Sequence, residues 1–185
     1  MDFLFYTTYN SPFDTFTITW KEPDSILKIQ RIFLSDPETN SETKARESFK
    51  HIKIGSNSSI KLLAEQIQYF LRGERVELKL DLLDFNRCLE IQKKVLLAEY
   101  KIPRGRVSTY KRIANHIGIS KGARVVGNAL ARNPFPIVIP CHRAIKTNGE
   151  LGGYQGGIEM KQKLLEMEGV KISEKGRVIT NKFYY

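Results

Sequence analysis

Pro140-Cys141-His142-Arg143 sets a thiol directly beside one cationisable and one cationic side chain. The thiolate is the reactive form of cysteine, and neighbouring positive charge lowers its pKa. The spacing therefore points to Cys141 as a nucleophile, with His142 and Arg143 expected to favour its thiolate. An inert buried thiol is the competing reading, because an isolated Cys most often behaves as a small hydrophobe. A Cys–His dyad of the papain kind fits poorly. The preceding Ile137-Val138-Ile139 reads as a short buried extended run, where successive side chains point to opposite faces. His142 is thus expected to reach Cys141 through a turn or a water. Two cysteines (Cys88, Cys141) and three scattered histidines (His51, His116, His142) give no metal-ligand cluster of recognisable spacing, so no metal and no cofactor is expected. Cys88 reads as structural or incidental.

A second stretch with chemical potential is Gly152-Gly153-Tyr154-Gln155-Gly156-Gly157. It lacks the following Lys-Ser/Thr of a phosphate-cradling loop. As a pocket wall it lets backbone donors approach a ligand closely. A third is the segment with Gly122, Ala123, Gly127 and Ala131, which are small, and Arg124, its large exposed cation before Arg132. Glycine inside a helix costs about 1 kcal/mol relative to Ala, so close approach to another backbone, protein or DNA, is expected there.

The elements that must position these residues follow from periodicity and punctuation. Residues 2–34 read as a β-meander, with strands at Phe3 to Tyr9, Phe16 to Trp20 and Ile26 to Leu34. Residues 35–50 read as a charged surface loop. Ser58 or Ser59 caps a helix through Arg72 that Gly73 stops. Glu77 to Leu83 alternates like an edge strand or extended linker. The domain boundary falls near Leu83 to Asn86, giving an N-terminal domain at 1–85 and a second at 86–185. In the second, Asn86 caps a helix through Tyr100. Ser108 caps the next, with Tyr110, Ile113, Ala114 and Ile117 on one face and Gly118 closing it. Ser120 starts another from Lys121 to about Arg132, which Asn133-Pro134 ends. A three-residue turn containing Gly118 joins these two, in the outline of a helix-turn-helix over about 108–132.

Charge is divided unevenly along the 185 residues. Residues 1–85 carry 11 Lys and Arg against 13 Asp and Glu, a net of −2, and residues 86–185 carry 19 against 7, a net of +12. That marks the second half as the one that meets a polyanion, without choosing between DNA, RNA and anionic lipid. The hydrophobic fraction of 41% and charged fraction of 27% are those of an ordinary globular chain. No apolar window is long enough for a membrane span, and Met1-Asp2-Phe3-Leu4-Phe5 lacks the features of a signal peptide. With so few cysteines, an intracellular, reducing compartment is expected: cytoplasmic, or nuclear in a eukaryote.

Beyond these local readings, the chain resembles the O6-alkylguanine-DNA alkyltransferases (methylated-DNA–protein-cysteine methyltransferases). The resemblance runs from about Tyr69 to Gly169. It rests on Ile102-Pro103-Arg104-Gly105, Ser108-Thr109-Tyr110, Ala123-Arg124-Val125-Val126-Gly127-Asn128-Ala129, Asn133-Pro134, Pro140-Cys141-His142-Arg143, Gly152 to Gly157, Lys161 and Leu164-Leu165-Glu166-Met167-Glu168-Gly169.

The resemblance implies an α/β N-terminal domain, here with a small antiparallel sheet, followed by a mostly helical winged helix-turn-helix domain. It implies irreversible, single-turnover transfer of an alkyl group from O6 of guanine in double-stranded DNA to Cys141, after the base is flipped out. His142 then serves as base toward the thiol, Glu168 orients His142, and Asn133 ties the helix-turn-helix to the active-site turn. Arg124 fills the vacated stack, with Ala123 and Gly127 beside it on the minor-groove face. Tyr110 presses on the adjacent phosphate and donates to the flipped guanine. Tyr154, Gln155, Ala144, Lys161 and Arg143 are assigned to the substrate pocket. A monomer is expected. Three positions depart from the family pattern: Gln155 replaces a residue that is often small and hydroxylic, Ala144 a bulkier aliphatic, and Leu96 a common aromatic. Gln155 bears on pocket width. Competing readings are a lesion-flagging relative without chemistry, a winged-helix transcription regulator, and a thiol protease.

Overall fold

The computed structural model describes residues 3–185. Met1 and Asp2, which begin the stretch read above for a signal peptide and for the β-meander, lie outside the described residues. The chain divides into two compact units, one comprising residues up to Asp84 together with Pro134–Val138, the other Phe85–Asn133 with Ile139–Tyr185.

The first unit is built on a four-stranded sheet. Its strands are β1 (Leu4–Ser11), β2 (Asp14–Lys21), β3 (Lys28–Leu34) and β4 (Ile52–Ile54), in the order β3-β2-β1-β4. The first three form the expected antiparallel meander, but β4 pairs parallel to β1, so the sheet is mixed rather than antiparallel. A three-residue strand with Ile54 exposed gives almost no periodic signal, which is why its pairing is invisible locally. On β2, Phe16, Ile18 and Trp20 are buried at alternate positions, and so are Thr17 and Thr19 between them. The Thr side is covered by α1 (Ser41–Ser48), whose buried Ser41 hydroxyl lies 2.9 Å from those of Thr15 and Thr17. This helix stands where a charged loop was expected. Asn40 caps it through the Thr43 N–H, and only Ser41 and Ala45 are buried, so it carries no apolar stripe to betray it.

The helix α2 (Ser58–Leu71) is capped by Asn57 rather than by Ser58 or Ser59. Glu77 to Leu83 forms no strand. Its end runs along β3, where the Ile29 N–H donates to Leu82 O at 2.7 Å and Leu83 bridges Ile29.

The second unit holds α3 (Glu90–Tyr100), β5 (Ser108–Thr109), α4 (Tyr110–His116), α5 (Ala123–Ala131), β6 (Ala144–Ile145) and α6 (Ile158–Met167). Asn86 sits in a separate 3-10 turn and does not cap α3. Thr109 caps α4, its hydroxyl accepting from the Arg112 N–H, while the Ser108 hydroxyl donates to Tyr184 O. The link between α4 and α5 spans residues 117–122, longer than the expected three-residue turn, because Lys121 takes a left-handed φ of 56° and delays α5 to Ala123. β5 and β6 pair in parallel, so Thr109 and Tyr110 lie close to the strand that follows Arg143. Val107, Ile145, Leu151, Leu165 and Val170 form the core beneath this pair. Each such buried aliphatic contributes roughly 1.5–3 kcal/mol.

Candidate active site

Cys141, His142 and Arg143 do not continue an extended run. Ile137 and Val138 lie in a turn, Ile137 with a left-handed φ of 72°, and Cys141–Arg143 forms a single 3-10 turn. It is closed by the Cys141 N–H donating to Ile139 O and the Arg143 N–H to Pro140 O. With about three residues per turn, consecutive side chains leave the axis about 120° apart. One turn can therefore send Cys141, His142 and Arg143 to three different neighbourhoods, which an extended strand cannot.

His142 and Arg143 converge on Glu168, the residue that caps α6 at its C-terminal end. Glu168 Oε1 lies 3.0 Å from His142 Nε2. Arg143 Nε donates to Oε2 at 2.9 Å and Nη2 to Oε1 at 2.7 Å, a bidentate pair. Burial works against the Glu168 carboxylate, but the hydrogen bonds and charges of His142 and Arg143 outweigh it and bring its pKa down to about 2. Burial likewise pushes His142 down, against the raising effect of Glu168, which favours the neutral imidazole. The Ile102-Pro103-Arg104-Gly105 stretch now has a physical role. Ile102 O accepts from Arg143 Nη1 at 2.6 Å, Arg104 Nη2 donates to Met167 O, and the Gly105 N–H donates to Glu168 Oε2. Gly105 has φ 76°, and a Cβ there would meet Glu168 O at 3.0 Å, so the close approach needs glycine.

Cys141 is 5% exposed and lies in the wall of a cavity of about 400 Å³. Asn133 Nδ2 donates to Cys141 Sγ at 3.2 Å and to Ile139 O at 3.1 Å, fastening the end of the helix-turn-helix to the active-site turn. The expected lowering of the thiol pKa is not found. Burial pushes it up to about 11, against the lowering effect of the Asn133 hydrogen bond, and the Arg143 guanidinium is committed to Glu168. At rest Cys141 is therefore a thiol.

Tyr110, Gly127, Tyr154 and Gln155 share the cavity wall with Cys141, whereas Arg143, Ala144 and Lys161 are not among its lining residues. Lys161 is fully buried. Its Nζ donates to Ala144 O at 2.7 Å and Gly153 O at 3.4 Å, tying the glycine-rich loop to β6. Gln155 Nε2 donates to Asn133 O at 2.7 Å, so this unusual side chain latches the loop to the residue that holds the thiol. Gly152 has φ 73°, and a Cβ there would strike the Tyr110 hydroxyl at 2.6 Å. Burial, then Glu99 and Cys141, push Tyr110 up to about 12, which favours the protonated hydroxyl.

The small residues around α5 divide by cause. A Cβ on Gly122 would meet Ile119 Cγ2 at 2.4 Å, so internal packing explains that glycine. Gly127 has nothing within 4 Å of such a Cβ and lines the cavity. Arg124 and Val125 are exposed, and Ala123 is half-buried.

Two residues near the site were not anticipated. Lys146 lines the cavity and pairs with Glu150 at 2.8 Å. Glu99 on α3 is fully buried, and neither carboxyl oxygen has a hydrogen-bond partner among the described residues. Its signal was present: it follows the apolar Val95 and Leu96 by four and three residues, on the buried face of the helix where an apolar residue belongs. Among the described residues there is no group of three or more His, Cys, Asp or Glu able to hold a metal ion, and no helix is long and apolar enough to cross a membrane.

Comparison with known proteins gives concordant results. Residues 90–170 match the family model for the DNA-binding domain of 6-O-methylguanine DNA methyltransferase. A methylated-DNA–protein-cysteine methyltransferase of Methanothermobacter thermautotrophicus is 49% identical over 114 residues, 62% of this chain and 64% of that protein, so the chain spans slightly less than two thirds of that relative. One from Saccharolobus solfataricus is 41% identical over 120 residues, 64% of this chain and 75% of its own length. Among solved structures, that of Mycobacterium tuberculosis OGT in complex with DNA superposes with a TM-score of 0.70 at 31% identity, covering 89% of this chain and 93% of that one.

Proposed function

The chain belongs to the methylated-DNA–protein-cysteine methyltransferase family, and from that premise we propose that it repairs DNA by moving an alkyl group from O6 of guanine in duplex DNA onto Cys141, once per molecule. The observation that carries this reading is the placement of Cys141 Sγ. It sits in the wall of a cavity of base-accommodating size, held by Asn133 and adjoining the His142–Glu168 pair.

The sulfur attacks the alkyl carbon, forming an S–C bond as the C–O6 bond breaks, and the electron pair of that bond stays with the guanine. Because the thiol rests protonated, its proton must leave as attack proceeds. Neutral His142 takes it through a water, and the Glu168 carboxylate stabilises the imidazolium that results. Tyr110, which keeps its proton, donates to the base as negative charge develops on it. The thioether has no route back to thiol, which makes the protein stoichiometric rather than catalytic. It works as a monomer on duplex containing O6-alkylguanine, and no cofactor takes part.

A base inside a duplex must be extruded before it can enter the cavity, at a cost of a few kcal/mol. Arg124 on the exposed side of α5 fills the gap it leaves, and the small Ala123 and Gly127 let the minor-groove backbone approach. The net charge of +12 on residues 86–185 supplies non-specific affinity. Single-turnover rates on duplex O6-methylguanine and on free O6-benzylguanine test the whole reading. Wild type should react with both, and Arg124→Ala should be slowed far more on duplex than on the free base, which needs no unstacking. Equal slowing on both would remove Arg124 from extrusion, and absence of transfer from either substrate to the wild-type protein would overturn the function.

A further inference from the structure

Glu99 has no part in the chemistry just described, yet it lies among the groups that carry it. Its helix α3 packs against α4, α5 and the Cys141–Arg143 turn. Ile102, one turn further on, accepts the Arg143 Nη1 hydrogen bond, and Ala98, its neighbour, accepts one from the Tyr185 hydroxyl. The charged and titratable groups close enough to couple with it electrostatically are Lys161 from α6, Arg143 and Cys141 from the turn, Tyr110 from α4, and Tyr185. Two of these are cations, but they are not equally available. Arg143 is bound on both sides of its fork to Glu168. Among the described residues Lys161 donates to the neutral carbonyls of Ala144 and Gly153, and no carboxylate there neutralises it through a hydrogen bond. A thiolate forming at Cys141 and an ionised Glu99 would therefore draw on the same ammonium charge.

We propose that Glu99 is a positioning residue for the nucleophile: a buried carboxyl that is uncharged while the protein is reactive and that, once ionised, takes the Lys161 charge away from Cys141 and holds back its attack. A carboxyl sealed from water, with no donor on either oxygen, is far more stable neutral than charged. Burial accordingly raises Glu99 to about 8, against the lowering effects of Lys161 and Arg143, while Lys161 is brought down by burial to about 8. In neutral solution the pair is a carboxylic acid and an ammonium ion, and the ammonium is left for the sulfur. As pH rises the local charge turns negative, just where an ordinary thiol would become more reactive.

This inference rests on the proposed function for its meaning but not for its test. Alkylation of Cys141 by iodoacetamide, read by peptide mass spectrometry between about pH 6.5 and 9.5, reports thiol reactivity whether or not the chain repairs DNA, with Cys88 as the reference in the same molecule. The ratio of Glu99→Gln to wild-type rates at Cys141 should rise with pH, reaching on the order of tenfold at the alkaline end, while the ratio at Cys88 stays level. The same rise should appear with free O6-benzylguanine as alkyl donor. If it appears with iodoacetamide and no transfer occurs from O6-benzylguanine, the functional reading fails and the role of Glu99 stands. A ratio that does not change with pH, at whatever level, overturns the proposal. Should Glu99→Gln not fold, carbon-13 NMR of the wild-type glutamate carboxyls decides instead: Glu99 should titrate above neutrality, and titration in the ordinary carboxylate range would overturn the proposal equally.

Discussion

Each unit contains an Arg–Glu pair, and the two pairs do different work. In the first unit, Arg46 and Glu42 sit one turn apart on α1 at 2.9 Å, with side chains 53% and 39% exposed. In the second, Arg143 and Glu168 meet at 2.7 Å with exposures of 9% and 1%. The exposed pair exchanges water for a partner at little net gain, and such pairs contribute about 0–1 kcal/mol. The buried pair has no water to fall back on, so each charge depends on the other, on His142 and on the backbone groups of Ile102 and Gly105. A surface pair decorates a helix. The buried one fixes the direction of the side chain expected to receive a proton from Cys141.

Removing the acid from each pair in turn separates these cases most sharply. Glu168→Ala strands a buried guanidinium and should cost about 3–5 kcal/mol in denaturant unfolding, besides slowing transfer to Cys141. Next comes the acid limb of stability. The folded pKa of Glu168, about 2, lies below the ~4.3 of an unfolded glutamate. Its contribution is therefore complete above about pH 4.3 and is lost as pH falls toward 2, amounting to about 3 kcal/mol. Stability measured across that window should be flatter in Glu168→Gln, and an unchanged slope would show that the pair is wetter than it looks. Gln155→Ser removes the single bond to Asn133 O and should cost about 1 kcal/mol. It should also open the cavity wall and speed reaction with bulky O6-alkyl groups relative to methyl. Smallest is Glu42→Ala, expected below about 1 kcal/mol and weaker still in high salt. A larger loss there would mean that the Tyr6 and Thr8 hydroxyls bonded to Glu42 matter more than the ion pair.

What the sequence could say about these two regions differed for physical reasons. The helices of the second unit announce themselves, because α4 and α5 carry apolar faces and end at Gly118 and Asn133-Pro134. In the first unit α1 escaped notice, since a helix lying over threonine and serine hydroxyls needs no apolar stripe. At the site, residue types and order drew attention to Cys141 with His142 beside it, and the family resemblance added Glu168. The electrostatics were not legible. Adjacent cations suggested a lowered thiol pKa, but whether a charge acts on its sequence neighbour depends on where the turn directs it, and this 3-10 turn directs Arg143 to Glu168. Glu99 was readable only as an acid on an apolar face, a pattern that says nothing about the cations across from it. Mixed pairing of β4 with β1 is likewise a contact between distant residues that no local pattern encodes.

All of this turns on the fate of one sulfur atom. Intact and peptide mass spectrometry of the protein mixed with increasing amounts of a short duplex carrying O6-methylguanine would follow it directly. The mass of one added methylene per molecule, mapped to Cys141, is expected to rise with duplex until protein and lesion are equimolar and then stop, with none in Cys141→Ala. Modification at Cys88 instead, or continued loss of O6-methylguanine after every molecule has reacted, would contradict this expectation.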